Sequence, residues 1–441
     1  MKWKRVVAVL LTVAMTGTLA AGCGSSSESE GDGEGGKTEL QVAVFEGGYG
    51  REYWDAVAEA FEKENPDVDV VIEANPEIGD VIRPNILAGN PPDFVYLPSS
   101  NKSGVTNAMI KDKALADISD VMEEVQDKLI PGIIDSKACQ PYGDGKTYLA
   151  PIYYSTTGLW YNADFFEKNG LEVPVTWDDF FALGDKSEEL GRKLFTYQGT
   201  VPSYLESLIV PAVASAAGKD VMDGCFNYDP EAWQNPEVKA VLENIAKIGT
   251  GGYLMEGTVS LDHTQAQSQW LLGKALLHPN GSWVEGEMED APKEEGFEYG
   301  YTAAPVMDES GEKTVYTQIE EMFIPAEAKN IDIAKEFLAF QYIDEAVKLN
   351  AEKAKGIPPV VGASEYMKEN SSEAVYQSYA ILDNGYTPYI GNFAPVTDTE
   401  IIPRDEFFNC VGDVMTGKMT VDEWIAKMVD ISNQVKDKVV Q

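Results

Sequence analysis

Residues 40–50, with the sequence LQVAVFEGGYG, join a largely apolar run to a glycine-rich turn, and this junction decides the fold. The apolar side chains that follow recur at the spacing of one helix face: Tyr53, Val57, Ala60 and Phe61. Similar patterns predict a strand over 68–72, a helix over 78–88 and a strand over 94–97. Alternating strands and helices imply a parallel sheet with right-handed crossovers, so the expected fold class is α/β.

The carboxyl ends of the first and third predicted strands form the expected binding edge. In α/β sheets, ligands bind beyond the carboxyl ends of the strands. Glu46 and Tyr49 follow the first strand and Asn101 follows the third, so all three are candidate ligand-binding residues. A solvated turn is the alternative interpretation of Glu46 and Tyr49.

Composition and charge narrow the function classes. The chain has 441 residues and a net charge of −39, and 44% of its residues are hydrophobic. This hydrophobic fraction is enough for a sizeable core, and the length predicts two or more domains. This acidity argues against nucleic acid as a partner, because phosphate neutralisation needs Lys and Arg surfaces. It also argues against docking on anionic lipid through basic patches.

The residues offer little support for metal or enzyme chemistry. The chain has two His and no CxxC pair, a poor basis for a metal site. Cys139, Cys225 and Cys410 are widely spaced, which leaves buried thiols, or one disulfide and a free thiol, as alternatives. GxSxG, Walker-type and HExxH motifs do not occur. We therefore expect a binding protein rather than an enzyme, with no cofactor and no metal.

The N-terminal segment predicts export and lipid anchoring. Residues 1–22 combine a basic start with an uncharged, mostly apolar stretch, which is typical of a signal peptide. The segment Leu19-Ala20-Ala21-Gly22-Cys23 resembles the lipobox of bacterial lipoproteins, whose cysteine is diacylated. Residues 23–37 then form a flexible acidic Ser/Gly tether. The predicted location is the extracellular face of a bacterial cell membrane of the Gram-positive type; the alternative is an ordinary secretory signal.

Several short segments carry a family resemblance. They are LAGNPPDFV at 87–95, YLAP at 148–151, GLWYNADFF at 158–166, PVTWDDF at 174–180, GKAL at 273–276, NGSW at 280–283 and AKEFL at 334–338. In this order they resemble the extracellular solute-binding proteins of carbohydrate ABC transporters, the maltose-binding-protein-like group called family 1. Each segment alone is short, so the resemblance rests on the order in which the segments occur along the chain.

The resemblance implies a two-lobed, periplasmic-binding-protein-like fold. Each lobe would be a mostly parallel sheet flanked by helices, and crossover hinge strands would join the two. The boundaries carried over from the family are 38–151 plus 285–328 for the first lobe and 155–281 plus 329–441 for the second. The ligand would be held in the cleft between the lobes.

The resemblance also implies ligand-binding residues beside the linkers and at one helix start: Tyr154, Ser155, Tyr204, Glu206, Asn280, Trp283 and Glu320. Sugars present apolar C–H faces and hydroxyl edges, so a sugar site needs aromatic faces together with carboxylates and amides. Trp283 is expected to stack on the sugar, and the alternative is a core tryptophan that braces the hinge. Arg404 and Asp398, in a late Pro-containing loop, are further candidates.

The predicted function is that of a lipid-anchored substrate-binding component of an ABC importer. It would capture a sugar or oligosaccharide and deliver it to membrane permease subunits, and we expect a monomer. The alternatives are a cell-surface glycoside-active enzyme, a binding protein for a peptide or polyamine, and a structural adhesin. The segment 278–288 resembles binding proteins for N-acetylglucosamine and its dimers.

Overall fold

The computed structural model describes residues 37–439, in which strands and helices alternate. The strands are β1 (Thr38–Phe45), β2 (Val68–Asn75), β3 (Phe94–Tyr96), β4 (Ala150–Asn162), β5 (Lys193–Phe195), β6 (Ala275–Gly281), β7 (Tyr299–Thr302), β8 (Thr314–Phe323) and β9 (Thr387–Tyr389). The predicted signal peptide, the lipidation of Cys23 and the tether up to residue 36 lie outside the described residues.

The helices are α1 (Glu52–Glu64), α2 (Ile78–Leu87), α3 (Val105–Lys111), α4 (Ser119–Val125), α5 (Ala163–Asn169), α6 (Trp177–Glu189), α7 (Glu206–Ala217), α8 (Lys219–Phe226), α9 (Pro230–Trp233), α10 (Pro236–Thr250), α11 (His263–Leu271), α12 (Val284–Glu287), α13 (Ile331–Phe340), α14 (Asp344–Lys353), α15 (Glu373–Ala380), α16 (Pro403–Phe408), α17 (Val411–Met415) and α18 (Val421–Val435). Short 3-10 turns cover Gln126–Lys128, Pro202–Leu205, Thr258–Ser260, Ala363–Met367 and Lys436–Lys438. None of the helices between residues 37 and 439 is long and apolar enough to cross a membrane.

The strands form one sheet in the order β2-β1-β3-β8-β4-β6-β5, with β7 added to β4 and β9 added to β8. The pairs β1–β2, β1–β3, β5–β6 and β8–β9 are parallel. Every antiparallel pair involves β4 or β8, which run side by side from Ala150↔Met322 to Thr157↔Tyr316. The predicted α/β sheet is therefore confirmed, with its antiparallel pairs confined to the two long strands.

The strands β4 and β8 link the two halves of the sheet. At one end β8 pairs with β3, and at the other end β4 pairs with β6. Along β4 only Ser155 and Tyr161 are incompletely buried, because the strand is covered on both faces. Gly158 is required by close packing, since an added Cβ would lie 2.3 Å from the Thr302 carbonyl oxygen of β7.

Helix ends follow the local sequence closely. Thr176 and Asp179 form a capping box at the start of α6, and Thr420 and Glu423 form another at α18. The Asn235 side chain caps α10, whose first residue is Pro236. These three predicted helix starts are confirmed, because a cap depends on side chains a few positions apart and not on tertiary contacts.

Packing around the two halves of the sheet bears on the lobe boundaries. Phe337 of α13 contacts Phe61 and Phe94, with ring centroids 5.2 and 5.1 Å apart, in the core around β1–β3. Val306 exchanges backbone hydrogen bonds with Val175 and Trp177, beside α6 in the other half. These contacts favour assigning 331–353 to the first lobe and 299–306 to the second. This partition is a proposal, and it differs from the boundaries that the resemblance implied.

The cysteines of the described chain are free and buried. Cys139, Cys225 and Cys410 form no disulfide. Burial raises the pKa of all three thiols, since desolvation disfavours the thiolate. Of the two alternatives for these residues, buried thiols are therefore the observed one.

Candidate functional site

Two cavities meet beside the linking strands β4 and β8. The tyrosine cavity, about 290 Å³, is lined by Tyr49, Tyr153, Tyr154, Glu320 and Glu321 among others. The tryptophan cavity, about 230 Å³, is lined by Tyr204, Asn280 and Trp283 among others. The residues that line both are Glu206, Tyr316, Gln318 and Arg404. The two cavities therefore share one wall and lie next to each other.

Aromatic rings form the floor of the tyrosine cavity. Tyr49, in the turn after β1, stacks on Tyr153 of β4, with ring centroids 3.7 Å apart and planes 9° from parallel. Gly356 packs against this stack so closely that an added Cβ would lie 2.6 Å from the Tyr49 ring. The Tyr154 hydroxyl donates a hydrogen bond of 3.2 Å to the Tyr379 carbonyl oxygen. The rings are thus held in place by strands and by a neighbouring loop.

Two carboxylates of β8 face this cavity. The Glu321 carboxylate accepts hydrogen bonds from the Ser99 backbone N–H at 3.0 Å and from the Ser99 hydroxyl at 2.9 Å. Burial raises the pKa of Glu321 to about 7, and the Ser99 hydrogen bonds partly oppose this shift. Burial also raises the pKa of Glu320, which accepts a hydrogen bond from the Tyr96 hydroxyl. Both groups thus have a raised proton affinity, which a hydroxyl or amine donor from a ligand would lower.

Successive strand residues ordinarily point to opposite faces, yet Glu320 and Glu321 both line the cavity. The β4–β8 pairing shifts register between Pro151 and Tyr153, directly opposite these residues. The extra residue, Ile152, lies in β4, and on β8 all six residues from Tyr316 to Glu321 line the cavity.

The tryptophan cavity is built where β6 leads into α12. The Trp283 side chain is half-buried, and its ring lies over Gly281, where an added Cβ would be 2.2 Å away. Asn280 is 1% exposed, and its Oδ1 accepts a hydrogen bond of 2.9 Å from the Gly281 N–H. The Asn280 Nδ2 has no hydrogen-bond partner among the described residues. A buried donor without a partner costs free energy, so this amide is suited to a ligand oxygen.

The shared wall contains an ion pair. The Arg404 Nε lies 2.6 Å from Glu206 Oε1, and its Nη2 lies 2.9 Å from Oε2. Glu206 begins α7, where the helix dipole favours a negative charge. The hydrogen bond to Glu206 raises the pKa of Arg404. Beside this pair, the Tyr316 hydroxyl donates a hydrogen bond of 2.9 Å to Asn392 Oδ1.

Eight of the ten predicted ligand-binding residues line these cavities: Tyr49, Tyr154, Ser155, Tyr204, Glu206, Asn280, Trp283 and Glu320. Among the described residues, Glu46 and Asn101 line neither cavity. The Glu46 N–H donates a hydrogen bond to the Asn75 carbonyl oxygen, so Glu46 extends the β1–β2 ladder. The Asn101 side chain accepts a hydrogen bond from the Ser103 N–H within its own turn. The ligand contacts of all ten residues remain a prediction.

Sequence reasoning missed Tyr316 and Gln318 of β8 and the loop residue Asn392. Tyr316, Gln318 and Glu320 alternate along the strand, so period two from Glu320 was the available signal. Asn392 carried no such signal. Arg404 and Asp398 were both predicted as further candidates. Arg404 lines both cavities, whereas Asp398, which is also among the described residues, lines neither. The part of the chain from 37 to 439 contains no group of His, Cys, Asp or Glu suited to a metal ion.

Comparison with known proteins places this architecture in a family. Residues 47–348 match the family model described as bacterial extracellular solute-binding protein. The chain is 24% identical over 381 residues to the diacetylchitobiose binding protein NgcE of Streptomyces coelicolor, covering 83% of this chain and 80% of the relative. It is 23% identical to the multiple sugar-binding protein of Streptococcus mutans over 367 residues, 79% of this chain and 81% of that protein.

A solved structure shows the same fold. The apo form of RafE from Streptococcus pneumoniae superposes with a TM-score of 0.73 at 18% identity, covering 90% of this chain and 98% of RafE. The fold is thus the two-lobed α/β fold of solute-binding proteins, as predicted. The chain belongs to the family of bacterial extracellular solute-binding proteins. It is accordingly a binding protein and not an enzyme.

Proposed function

We propose that the chain is the lipid-anchored, carbohydrate-binding component of an ABC importer. It captures a sugar or oligosaccharide in the paired cavities beside β4 and β8 and delivers it to permease subunits in the membrane. The observation that carries this proposal is the chemistry of the cavities, which combine aromatic faces with buried carboxylates and amides. Cys23 provides the lipid anchor on the extracellular face.

The chemistry of the cavities suits sugars for two reasons. The aromatic rings of Tyr49, Tyr204 and Trp283 offer faces for the apolar C–H side of a pyranose ring. The Glu320 carboxylate and the Asn280 and Gln318 amides offer acceptors and donors for hydroxyl groups. A charged ligand is not required, since the Arg404 guanidinium is already paired with Glu206.

The names of the relatives support a carbohydrate and favour one class of it. NgcE is named for binding diacetylchitobiose, and the Streptococcus mutans protein is named for binding multiple sugars. The segment 278–288, which contains Asn280 and Trp283, is the one that resembles N-acetylglucosamine binding proteins. An N-acetylglucosamine oligosaccharide is therefore the ligand to test first.

Binding involves closure of the two lobes rather than chemistry on the ligand. The strands β4 and β8 are the elements that pass between the lobes, so they are where closure would bend the chain. Ligand contacts that exist only in the closed form shift the population towards it. The permease would then recognise the closed form.

A panel of mono-, di- and oligosaccharides, with purified protein, tests the proposal. A bound sugar is expected to raise the melting temperature and to change tryptophan fluorescence. At one hundred times the dissociation constant, a ligand adds about 2.7 kcal/mol to the free energy of unfolding. A broad panel in which no sugar has either effect would contradict a carbohydrate ligand.

A polyamine is the second candidate, and one observation favours it. Glu320 and Glu321 line the tyrosine cavity, and the one cation among the described residues that line it, Arg404, is paired with Glu206. Spermidine and putrescine therefore belong in the same panel. Binding of a polyamine without binding of any sugar would select this alternative.

A further inference from the structure

His263 lies behind the tryptophan cavity and is connected to both of its aromatic side chains. It is the first residue of α11, and although it is among the described residues it lines neither cavity. On one side its ring lies against the Tyr204 ring, with centroids 4.8 Å apart and planes 39° from parallel. On the other side its Nε2 lies 2.9 Å from Oε2 of Glu287 in α12, the helix that begins directly after Trp283.

The Glu287 carboxylate ties α12 to α11. Gln267 of α11 donates from its Nε2 to the same Glu287 Oε2 at 2.9 Å, so two donors of α11 share this acceptor. This arrangement assigns a proton to Nε2 of the His263 ring. Among residues 37–439, His263 is the basic side chain that lies within ion-pair distance of Glu287. Since α12 is four residues long, too short to be stable alone, its position depends on these contacts.

The helix α11 is a firm base for this connection. The Asp262 side chain accepts a hydrogen bond of 2.8 Å from the Gln265 N–H, and the Gln265 side chain accepts one from the Asp262 N–H, which is a capping box. Further along the helix, Trp270 is 1% exposed and stacks on His278 of β6, with ring centroids 5.3 Å apart. The start of α11 is therefore fixed to the sheet, and the single turn of α12 is held by it.

The rings of Tyr204 and Trp283 also lie close to the same carboxylate. Burial raises the pKa of the Tyr204 hydroxyl, the Glu287 charge raises it further, and the Trp283 side chain opposes these two effects. Tyr204 and Trp283 both line the tryptophan cavity. A shift of α12 would therefore change the spacing of the two aromatic faces that this cavity offers to a ligand.

We propose that His263 is a positioning residue for ligand binding. It holds the Tyr204 ring by stacking and, through Glu287, it holds α12 and thereby Trp283. It acts through these residues and does not touch the ligand. Aromatic faces that are fixed before binding lose less conformational freedom when a ligand arrives, so the affinity depends on this support. The inference rests on the proposed function for the ligand, whereas the contacts of His263 are present without one.

Calorimetric titration of the full-length protein with the β-1,4-linked dimer of N-acetylglucosamine tests the role of the imidazole. His263→Ala should weaken binding about tenfold, the effect of losing one hydrogen bond to a charged group. His263→Gln keeps an amide donor for Glu287 and should restore most of this loss. His263→Phe keeps a ring beside Tyr204 but offers no donor, so it should restore less. Thr264→Ala, at the exposed next position of α11, is the matched control and should bind as the wild type does.

A double-mutant cycle tests whether His263 acts through Glu287. Glu287→Ala removes the acceptor from the other side, so it should weaken binding as His263→Ala does. Because both changes break the same contact, the double variant should bind within about twofold of either single variant. Losses that add in the double variant would overturn the connection through Glu287.

A spectroscopic measurement without sugar separates this inference from the proposed function. The chain contains eight tryptophans, and fluorine NMR of protein labelled with 5-fluorotryptophan identifies the Trp283 signal as the one that Trp283→Phe removes. His263→Ala should shift or broaden this signal, His263→Gln should return it, and Thr264→Ala should leave it unchanged.

An unchanged Trp283 signal in His263→Ala, or His263→Phe binding as tightly as the wild type, would overturn the positioning role and leave carbohydrate binding intact. If the dimer does not bind but the signal responds to His263→Ala and recovers in His263→Gln, the proposed ligand fails and the positioning of Trp283 stands. If the dimer does not bind and the signal does not respond, both fail.

Discussion

Arg404 and Glu206 lie 198 positions apart in the chain and form a two-point ion pair, with distances of 2.6 and 2.9 Å, in the wall that the two cavities share. The Glu206 side chain is 9% exposed, whereas that of Arg404 is 41% exposed. The carboxylate therefore depends on Arg404 for its charge compensation. This dependence leads to the first prediction.

Arg404→Ala should lower the free energy of unfolding by about 2 kcal/mol, because it leaves the Glu206 carboxylate buried without its cation. Combining it with Glu206→Gln should restore most of this loss, and urea unfolding measures both changes. Lys168→Ala, which removes an exposed ion pair with Asp164, is the control and should change little. A double variant as unstable as Arg404→Ala would show that the pair is not what stabilises this wall.

Trp283→Ala should weaken sugar binding by about 100-fold, or ~3 kcal/mol, because an aromatic face in the centre of a site contributes strongly to binding. The melting temperature should change little, since the side chain is half-buried and lies against Gly281. Titration calorimetry and thermal unfolding measure the two effects. Unchanged affinity together with a lowered melting temperature would instead identify Trp283 as a packing residue that braces the hinge.

Glu321 should make stability depend on pH. Its pKa is raised from an ordinary value of 4.5 to about 7, so the folded protein binds this proton more tightly than the unfolded chain does. The carboxyl group therefore stabilises the fold least above pH 7, and its contribution becomes more favourable as the pH falls from 7 to 4.5. Glu321→Gln should remove this dependence and raise the free energy of unfolding at pH 8 by up to about 3 kcal/mol.

The matched control for this prediction is Glu365→Gln on the surface, where the carboxylate is paired with Lys368. Denaturant unfolding at pH 5 and at pH 8 compares the free energy of unfolding of each variant with that of the wild type. If wild type and Glu321→Gln lose stability equally between these two pH values, the Glu321 carboxyl group does not titrate in this range.

Cys23→Ala should release the protein from the membrane, because the proposed lipid anchor is attached to this residue. Fractionation of cells that express the full-length chain, followed by immunoblotting, measures the distribution. Cys139→Ala is the control, since its thiol is buried within the fold and should not affect anchoring. A Cys23→Ala protein that stays in the membrane fraction would contradict a lipoprotein.

The three buried thiols should be unreactive in the folded protein. A chain that begins at Lys37 contains Cys139, Cys225 and Cys410, and all three are free and buried. A thiol reagent should therefore modify about three groups per chain in denaturant and almost none in buffer, since both burial and a raised thiol pKa suppress reaction. Rapid reaction of a thiol in the folded protein would contradict the buried positions.

Several elements could be predicted from sequence because their causes are local. The capping boxes Thr176–Asp179 and Thr420–Glu423 depend on side chains three residues apart, and α1 ends at Glu64, just before Pro66. The first three strands, with the helices between them, follow from periodic apolar residues. Such patterns involve residues that are close together in the sequence, so they can be recognised without the tertiary structure.

The lobe partition depends on contacts between distant segments, so the sequence predicts it only through the family resemblance. The sequence AKEFL at 334–338 indicates an amphipathic helix but not the surface that its apolar face covers. Only in the folded chain does Phe337 reach Phe61 and Phe94. The lobe boundaries that the resemblance implied and those that this packing favours both remain predictions.

Sequence alone determined the α/β class, the binding-protein family and eight residues that line the cavities. The patterns that carried this information were the periodic apolar residues, the residues at strand ends and the order of the short motifs along the chain. Only the tertiary structure decided which acids and amides meet, because the pairing of β8 with β3 and β4 brings Glu320 to the Tyr96 hydroxyl and Glu321 to Ser99. The same holds for Arg404, which reaches Glu206 through the packing of α16 beside the start of α7. Register and long-range packing are properties of the whole fold, so no local pattern encodes them.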